Sequence, residues 1–209
     1  MTGSPTDPAG SRAARVGGTG EVVGPVPEGR DPVEYDRTRR RALWSLPAGL
    51  YLIGSRALVD GAWRCNLMTA SLVVQLAVEP KLVGVSVERH ALTRELVAAG
   101  GAFSVCLLRR EDRALVRRFV KPVDDVVHDG EGRATSMNGE AVVAGSTGSP
   151  VLARSLAWLD CSVRHRIDLG SHVLFVGEVV EVGGAGLDGG GRTVADVLRM
   201  EDTRMSYGG

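Results

Sequence analysis

The chain has 209 residues, 44% of them hydrophobic and 24% charged, with 25 Lys+Arg balancing 25 Asp+Glu. That length carries one full hydrophobic core but not two large domains, and a formal net charge of zero excludes bulk electrostatic attraction to nucleic acid or an anionic membrane. Three widely spaced cysteines, Cys65, Cys106 and Cys161, make no disulfide framework and point to a reducing, cytoplasmic setting, with neither a secretory signal pattern nor an apolar run of membrane-spanning length.

Residues 1–30 are rich in Gly, Pro, Ser, Thr and Ala and hold few large apolar side chains. They cannot bury enough surface to offset their ordering entropy, so a disordered tail is expected there and one folded domain over residues 31–209. At Asp31-Pro32-Val33-Glu34 an acid at the cap, a proline at the first helical position and a glutamate three residues after the cap predict a helix start. Tyr35, Arg37, Arg39, Arg40 and Arg41 continue a short basic helix that ends before Pro47.

Leu50–Ser55, Ser71–Val78 and Leu82–Val87 are rich in Val, Leu and Ile and bounded by Gly or Pro, the pattern of buried strands. Leu92–Ala99 places Leu92, Leu96 and Val97 near one helical face and stops at Gly100-Gly101. Phe103–Leu108 returns to strand, and Glu111–Phe119 sets Leu115, Val116 and Phe119 at helical spacing before Pro122. Asp124–Gly148, crowded with Gly, Asp, Ser and Asn, is expected to be a long loop with one short strand at Glu140–Ala144. Leu156–Asp168 alternates, with Leu159, Cys161, Val163 and Ile167 on an apolar face and Asp160, Ser162, Arg164 and Arg166 on a polar one. Val173–Val182, apolar on both faces apart from Glu178 and Glu181, is expected to be a central strand. The whole reads as mostly β with short helices, in a mainly antiparallel barrel.

Three stretches bear on chemistry. Asn66-Leu67-Met68-Thr69-Ala70-Ser71 gathers an amide, two hydroxyls and small side chains in six residues. It reads either as a turn between strands or as a backbone against which a flat polar ring lies, with N–H and O–H groups for the ring edge. Ser86–Thr93 joins a strand end to a helix start, where free N–H groups, a hydroxyl and the Arg89 guanidinium make either ordinary capping or a phosphate site. His172 follows Asp168-Leu169-Gly170-Ser171 at the head of a central strand, as a structural turn histidine or as a ring held in a defined direction. The other histidines have no metal-ligand spacing. Gly184-Ala185-Gly186-Leu187-Asp188-Gly189 matches G-x-G-x-x-G in letters only, because too few residues follow for the helix and second strand of a dinucleotide fold. Arg109, Arg110, Arg113, Arg117 and Arg118 form a solvated face or lie near a nucleotide's phosphates.

Leu46–Ser55, then Asn66–Ser71, then Glu79-Pro80 running into Leu82–Val87, then Thr93, and finally Gly170-Ser171-His172 with Val173–Val182, resemble in order and spacing the flavin reductase family, over about residues 43–182. The family's usual Gly-Asp-His is Gly170-Ser171-His172 here, which leaves His172 without a neighbouring carboxylate, and its frequent Pro-Pro is Glu79-Pro80. The resemblance implies an FMN-binding split β-barrel and an NAD(P)H:flavin oxidoreductase. NADH or NADPH would reduce FMN or FAD, and the reduced flavin would serve a partner monooxygenase. It also admits an FMN-binding electron carrier, a flavin-dependent reductase of another small molecule, or a non-catalytic flavin- or deazaflavin-binding protein. It places the flavin against Asn66, Leu67, Met68, Thr69, Ala70 and Ser71, its phosphate near Ser86, Arg89 and Thr93, and the candidate catalytic His172 beside the ring where the nicotinamide stacks. A homodimer with the site at its seam is expected as well.

Overall fold

In the computed structural model, which describes residues 24–184, 187 and 196–203, the helix start at Asp31 is formed as its residue types dictate. Asp31 accepts a hydrogen bond from the Glu34 N–H at 2.8 Å, and Pro32 opens helix α1 (Pro32–Trp44). Along α1, Asp36 pairs with Arg39 at 2.8 Å and Arg40 at 3.3 Å. Among the described residues, 24–47 belong to one compact unit and those from 48 onward to the other. The expected tail lies for residues 1–23 outside the described residues, as does most of the glycine-rich stretch 184–189.

In the second unit β1 (Tyr51–Val59), β2 (Ala62–Ala70), β3 (Val73–Ala77), β4 (Leu82–Glu88), β5 (Ala102–Leu107), β10 (Ala157–Asp168) and β11 (His172–Gly183) form one antiparallel sheet in the order β2-β1-β5-β10-β11-β4-β3. β2 and β3 are consecutive in the chain, separated only by Ser71 and Leu72, yet lie at opposite edges of the sheet. Laid flat, seven strands span six spacings of about 4.8 Å, roughly 29 Å. Three Cα steps reach at most about 11 Å. The sheet must therefore curl until its edges approach each other, and a barrel with a split between β2 and β3 results. The Ser86 N–H donates to Leu72 O at 2.9 Å where the link crosses.

Two apolar clusters lie on the two faces of this curled sheet. Ile53, Val85, Phe103, Val105, Cys161, Val173 and Phe175 fill the barrel with Val97 of α2 (Leu92–Gly100). Leu50, Leu52, Leu67, Cys106 and Leu108 pack outward against Leu115, Val116 and Phe119 of a 3₁₀ helix (Arg110–Phe119), against a second sheet, and against Leu198. That second sheet is built from β6 (Val126–His128), β7 (Ala134–Met137), β8 (Glu140–Ala144) and β9 (Pro150–Leu152). Leu198 is fully buried, bonded through its N–H to Leu108 O at 2.9 Å and through its O to the Leu50 N–H at 3.1 Å.

Three expectations are corrected here. Asn66–Ala70 belong to a strand, because Asp60 and Gly61 take left-handed φ values of 51° and 77° and close a two-residue hairpin that pairs Val59 with Ala62. The long loop at 124–148 is largely the second sheet, made legible by Asn138 and Gly139 at φ 48° and 75°, which turn β7 into β8. Asp160 lies on the face opposite Cys161, as the alternation requires, yet is fully buried rather than solvated, because the Gly145–Ser149 turn of the second sheet covers it. Asp160 accepts from the Thr147 N–H and Oγ1, both at 2.7 Å, while burial pushes its carboxyl above the ordinary range. The expected strand Glu140–Ala144 has those bounds, and Leu115, Val116 and Phe119 are buried together as their spacing requires, in a 3₁₀ rather than an α-helix.

The second sheet docks flush on β1 at Gly54, where a Cβ would fall 1.9 Å from Pro150 O and 2.3 Å from Ser104 Oγ. Gly54→Ala must push backbone from backbone, at a cost of about 1–3 kcal/mol or more. Urea unfolding of this variant should show a lower midpoint; an unchanged midpoint would contradict the flush packing.

Candidate functional site

Within β2 most of the polar side chains of the Asn66–Ser71 stretch are spent inside the protein. Asn66 is 2% exposed; its Nδ2 donates to Thr93 Oγ1 at 2.9 Å and its Oδ1 accepts from the Val123 N–H at 2.9 Å. Thr69 Oγ1 donates to Val116 O at 2.6 Å. Leu67 and Ala70 are buried and Met68 is half-buried. The expectation that the Asn66 amide and Thr69 hydroxyl face a ring edge is thus not what the geometry offers. Those groups bracket β2 to α2 and to the 3₁₀ helix instead. The stretch turns two things toward the split: the half-exposed Ser71 and the free edge of β2, whose other edge is taken by β1. On such an edge alternate residues present both N–H and C=O outward.

β4 and α2 bring the second group. Ser86 is half-buried, two residues before the end of β4. Thr93, in the first turn of α2, is fully buried with the Asn66 amide on its hydroxyl. The α2 N-cap, Ala91, offers no side-chain acceptor, so the first-turn N–H groups and the positive end of the helix dipole have no side-chain cap. Arg89 lies between them but turns away from the helix end: its Nε donates to Gly170 O at 2.6 Å and its Nη2 meets the Asp168 carboxylate.

His172 opens β11 opposite Glu88 of β4. Ser171 Oγ, standing where an acid was expected, lies 2.9 Å from His172 Nδ1, and the Leu169 N–H donates to His172 O at 2.9 Å to close the turn. Val173 and Phe175 point into the barrel, so His172 and Leu174 lie on its outer face, with Ser86 paired to Leu174. His172 and Ser71 are two strand spacings apart across β4, about 10 Å. Gly84 lies on the same outer face, where a Cβ would come within 2.7 Å of Leu76 Cδ1 and 3.2 Å of Leu174 Cδ1. Leu72, Val74 and Leu76 are each about half exposed around it. The structure therefore gathers Ser71, Ser86 and His172 beside a bare apolar face, and puts Asn66, Thr69 and Thr93 behind it as supports.

Asp168 was not singled out from sequence. Its Oδ1 accepts from the Gly170 N–H at 2.9 Å and meets Arg89. The Asp-x-Gly spacing of an Asx-turn is the signal that could have found it. Of the basic run, Arg110 pairs with Asp202 at 3.0 Å and Arg118 with Glu140 at 2.8 Å, while Arg113 and Arg117 are exposed. Among the described residues no group of three or more His, Cys, Asp or Glu is placed to hold a metal.

Residues 43–193 match the family model described as flavin reductase like domain. The chain belongs to the flavin reductase family. It is 31% identical over 143 residues to the NADH-dependent FMN reductase AsuE2 of Streptomyces nodosus subsp. asukaensis, a match covering 68% of this chain and 72% of that one. Against two other curated relatives the chain spans 58% and 45% of their length. Among solved structures, flavin reductase PheA2 superposes with a TM-score of 0.57 at 26% identity, covering 71% of this chain and 87% of that one. The styrene monooxygenase flavin reductase of Pseudomonas putida S12 shares the fold, with a TM-score of 0.56 at 23% identity over 70% of this chain and 87% of that one. The expected split-barrel fold and the flavin oxidoreductase class both stand with this membership, although β2 and β3 do not pair to close the barrel.

The Arg89 hydrogen bond, followed by that of the Gly170 N–H, holds the Asp168 carboxyl down at about 2. A lowered folded-state pKa stabilises the folded turn fully above the ordinary carboxylate value, and that contribution is lost as pH falls toward 2. Carboxyl-carbon NMR should show Asp168 titrating near 2, and distinctly higher in Arg89→Ala, where the Gly170 N–H still holds it down in part; equal midpoints in the two proteins would rule the pairing out.

Proposed function

We propose that the protein uses NADH or NADPH to reduce FMN or FAD and releases the reduced flavin to a partner monooxygenase. The observation that carries this reading is the meeting of Ser71, the free β2 edge, Ser86, the side-chain-uncapped start of α2 and His172 around one bare apolar face. A flavin needs those parts: hydrogen-bonding groups for its ring edge, an apolar seat for its ring, and a positive helix end for its phosphate. Backbone groups of Met68–Ser71 would take the ring edge, and Ser86 with the first turn of α2 would take the phosphate. The flavin supplies the ring that accepts hydride from the nicotinamide. The protein's share is to hold the two rings in one geometry and keep water away. His172, directed by Ser171, would hold the nicotinamide against the ring. AsuE2 by name reduces FMN with NADH, and the Pseudomonas protein by name serves a monooxygenase.

A second copy of the chain completes the site in this reading. Leu72, Val74, Leu76 and Val78 are 45–74% exposed along β3, a strand with a free edge, while the other outer half of the barrel is covered by the second sheet. Burying such a face against a twin removes both the apolar exposure and the edge. The three free thiols fit a reducing, cytoplasmic setting, and no helix of the described residues is long and apolar enough to cross a membrane.

Mixed with NADH and excess free FMN, the protein should turn over many equivalents of flavin. Reduction of a single equivalent would make it a carrier instead, and no reduction would end the proposal. His172→Ala should slow reduction at saturating FMN by about tenfold, equivalent to about 1.4 kcal/mol, with flavin affinity unchanged. Stopped-flow absorbance checks this, and an unaltered rate would leave His172 a turn residue. Light scattering at micromolar concentration should report a dimer, and Val74→Asp should shift it toward monomer.

A further inference from the structure

Arg89 stands just beyond β4 but directs its donors at a hairpin made by other strands. Its Nε donates to Gly170 O at 2.6 Å, its Nη2 meets the Asp168 carboxylate, and its backbone N–H donates to Ser171 O at 2.9 Å. One residue thereby holds three of the four that lead into His172. Its own backbone is held in turn, because Arg94 Nε of α2 donates to Arg89 O at 2.8 Å. Beyond the Leu169 N–H bond to His172 O and the Gly170 N–H bond to Asp168, the hairpin has little packing to fix it: Leu169 is 55% exposed, and Gly170 sits at φ 86° with no atom within 4 Å of where a Cβ would be. A turn with so little burial opens at low cost unless polar ties restrain it. A guanidinium fork can satisfy two acceptors in fixed directions at once, which an ammonium cannot.

We propose that Arg89 is a positioning residue for His172: by clamping Asp168, Gly170 and Ser171 it fixes the direction in which the His172 imidazole meets the bound flavin and nicotinamide. The inference rests on flavin reduction at this site. It also gives the Nε–Nη2 edge of Arg89 to the hairpin, so a phosphate could meet only the outer Nη1–Nη2 edge of the guanidinium. The ties run from the β4–α2 junction, where the phosphate is proposed to sit, to the turn that carries the imidazole. Arg89 thus joins the two ends of the site through contacts within the protein.

The test compares full-length Arg89→Ala, Arg89→Lys, Asp168→Asn, His172→Ala and the Arg89→Ala/His172→Ala double variant. At saturating FMN, Arg89→Ala and Asp168→Asn should each slow reduction by NADH by about three- to tenfold. Arg89→Lys should behave like Arg89→Ala, because one ammonium does not reach both acceptors. Adding Arg89→Ala to His172→Ala should cost less than about a further twofold, since residues acting through one group are not additive. Dissociation constants for FMN and riboflavin should change by the same factor. In NMR spectra of the flavin-free protein, the His172 ring resonances should move in Arg89→Ala while those of Phe103 and Phe175 in the barrel core stay. A tenfold selective loss of FMN over riboflavin with an unchanged rate at saturation would overturn the proposal and make Arg89 a phosphate ligand. A double variant as much slower than His172→Ala as Arg89→Ala is than the wild type would overturn it too, and so would an unmoved His172 ring. If the wild-type chain reduces no flavin, the functional reading falls, and the His172 resonances alone decide the clamp.

Discussion

Two residues, Ser71 and Leu72, must connect strands that lie at the two edges of a seven-stranded sheet. Their reach is a third of the sheet's flat width, so chain connectivity forces the sheet to roll up, and twist alone need not do it. Everything else of interest follows from that closure. It encloses Phe103, Phe175 and the valines of β4 in one apolar interior. It also leaves a split along β2 and β3, and it brings the free edge of β2 to the end where Ser86 and His172 lie on the neighbouring strands β4 and β11.

Around that barrel the outer face is divided. Over β1, β2 and β5 it is covered by the second sheet, the 3₁₀ helix and Leu198, and it is as well packed as the interior. Over β3, β4 and β11 the described residues leave it open, with Gly84 keeping the surface shallow between Leu76 and Leu174. The covered half gives rigidity and the open half gives access, so the side chains that align the two sit on their border. Asn66 is the clearest of them: a buried amide that satisfies both Thr93 and the Val123 N–H is costly to replace, since its loss leaves two polar groups without partners.

Three carboxylates act as ties between segments of the fold. Asp160 holds the turn at Thr147, Asp112 meets Arg154 while itself only 6% exposed, and Asp168 meets Arg89. Each joins segments far apart in the chain, which is why a count of charges that sums to zero says nothing about where the charges work.

The helix at Asp31, the strands at Leu50, Leu82, Phe103 and Val173, and the buried face Leu115-Val116-Phe119 were legible in the sequence, because capping, β-branched runs and apolar periodicity act within a few residues. The order of the separated motifs was enough to indicate the family. The roles of individual polar residues were not legible. Asn66, Thr69 and Thr93 have the chemistry of ligands, and only the packing of β2 against α2 and the 3₁₀ helix shows that they face each other and the backbone. Arg89 looks like a phosphate ligand from its neighbours in sequence, yet its partners lie about eighty residues away. Asp160 alternates with apolar residues as an exposed side chain does, and the Gly145–Ser149 turn, distant in pattern though near in space, covers it. Local patterns report what a residue is able to do, whereas hydrogen-bond partners are set by strand order and register, which exist only once the sheet has closed.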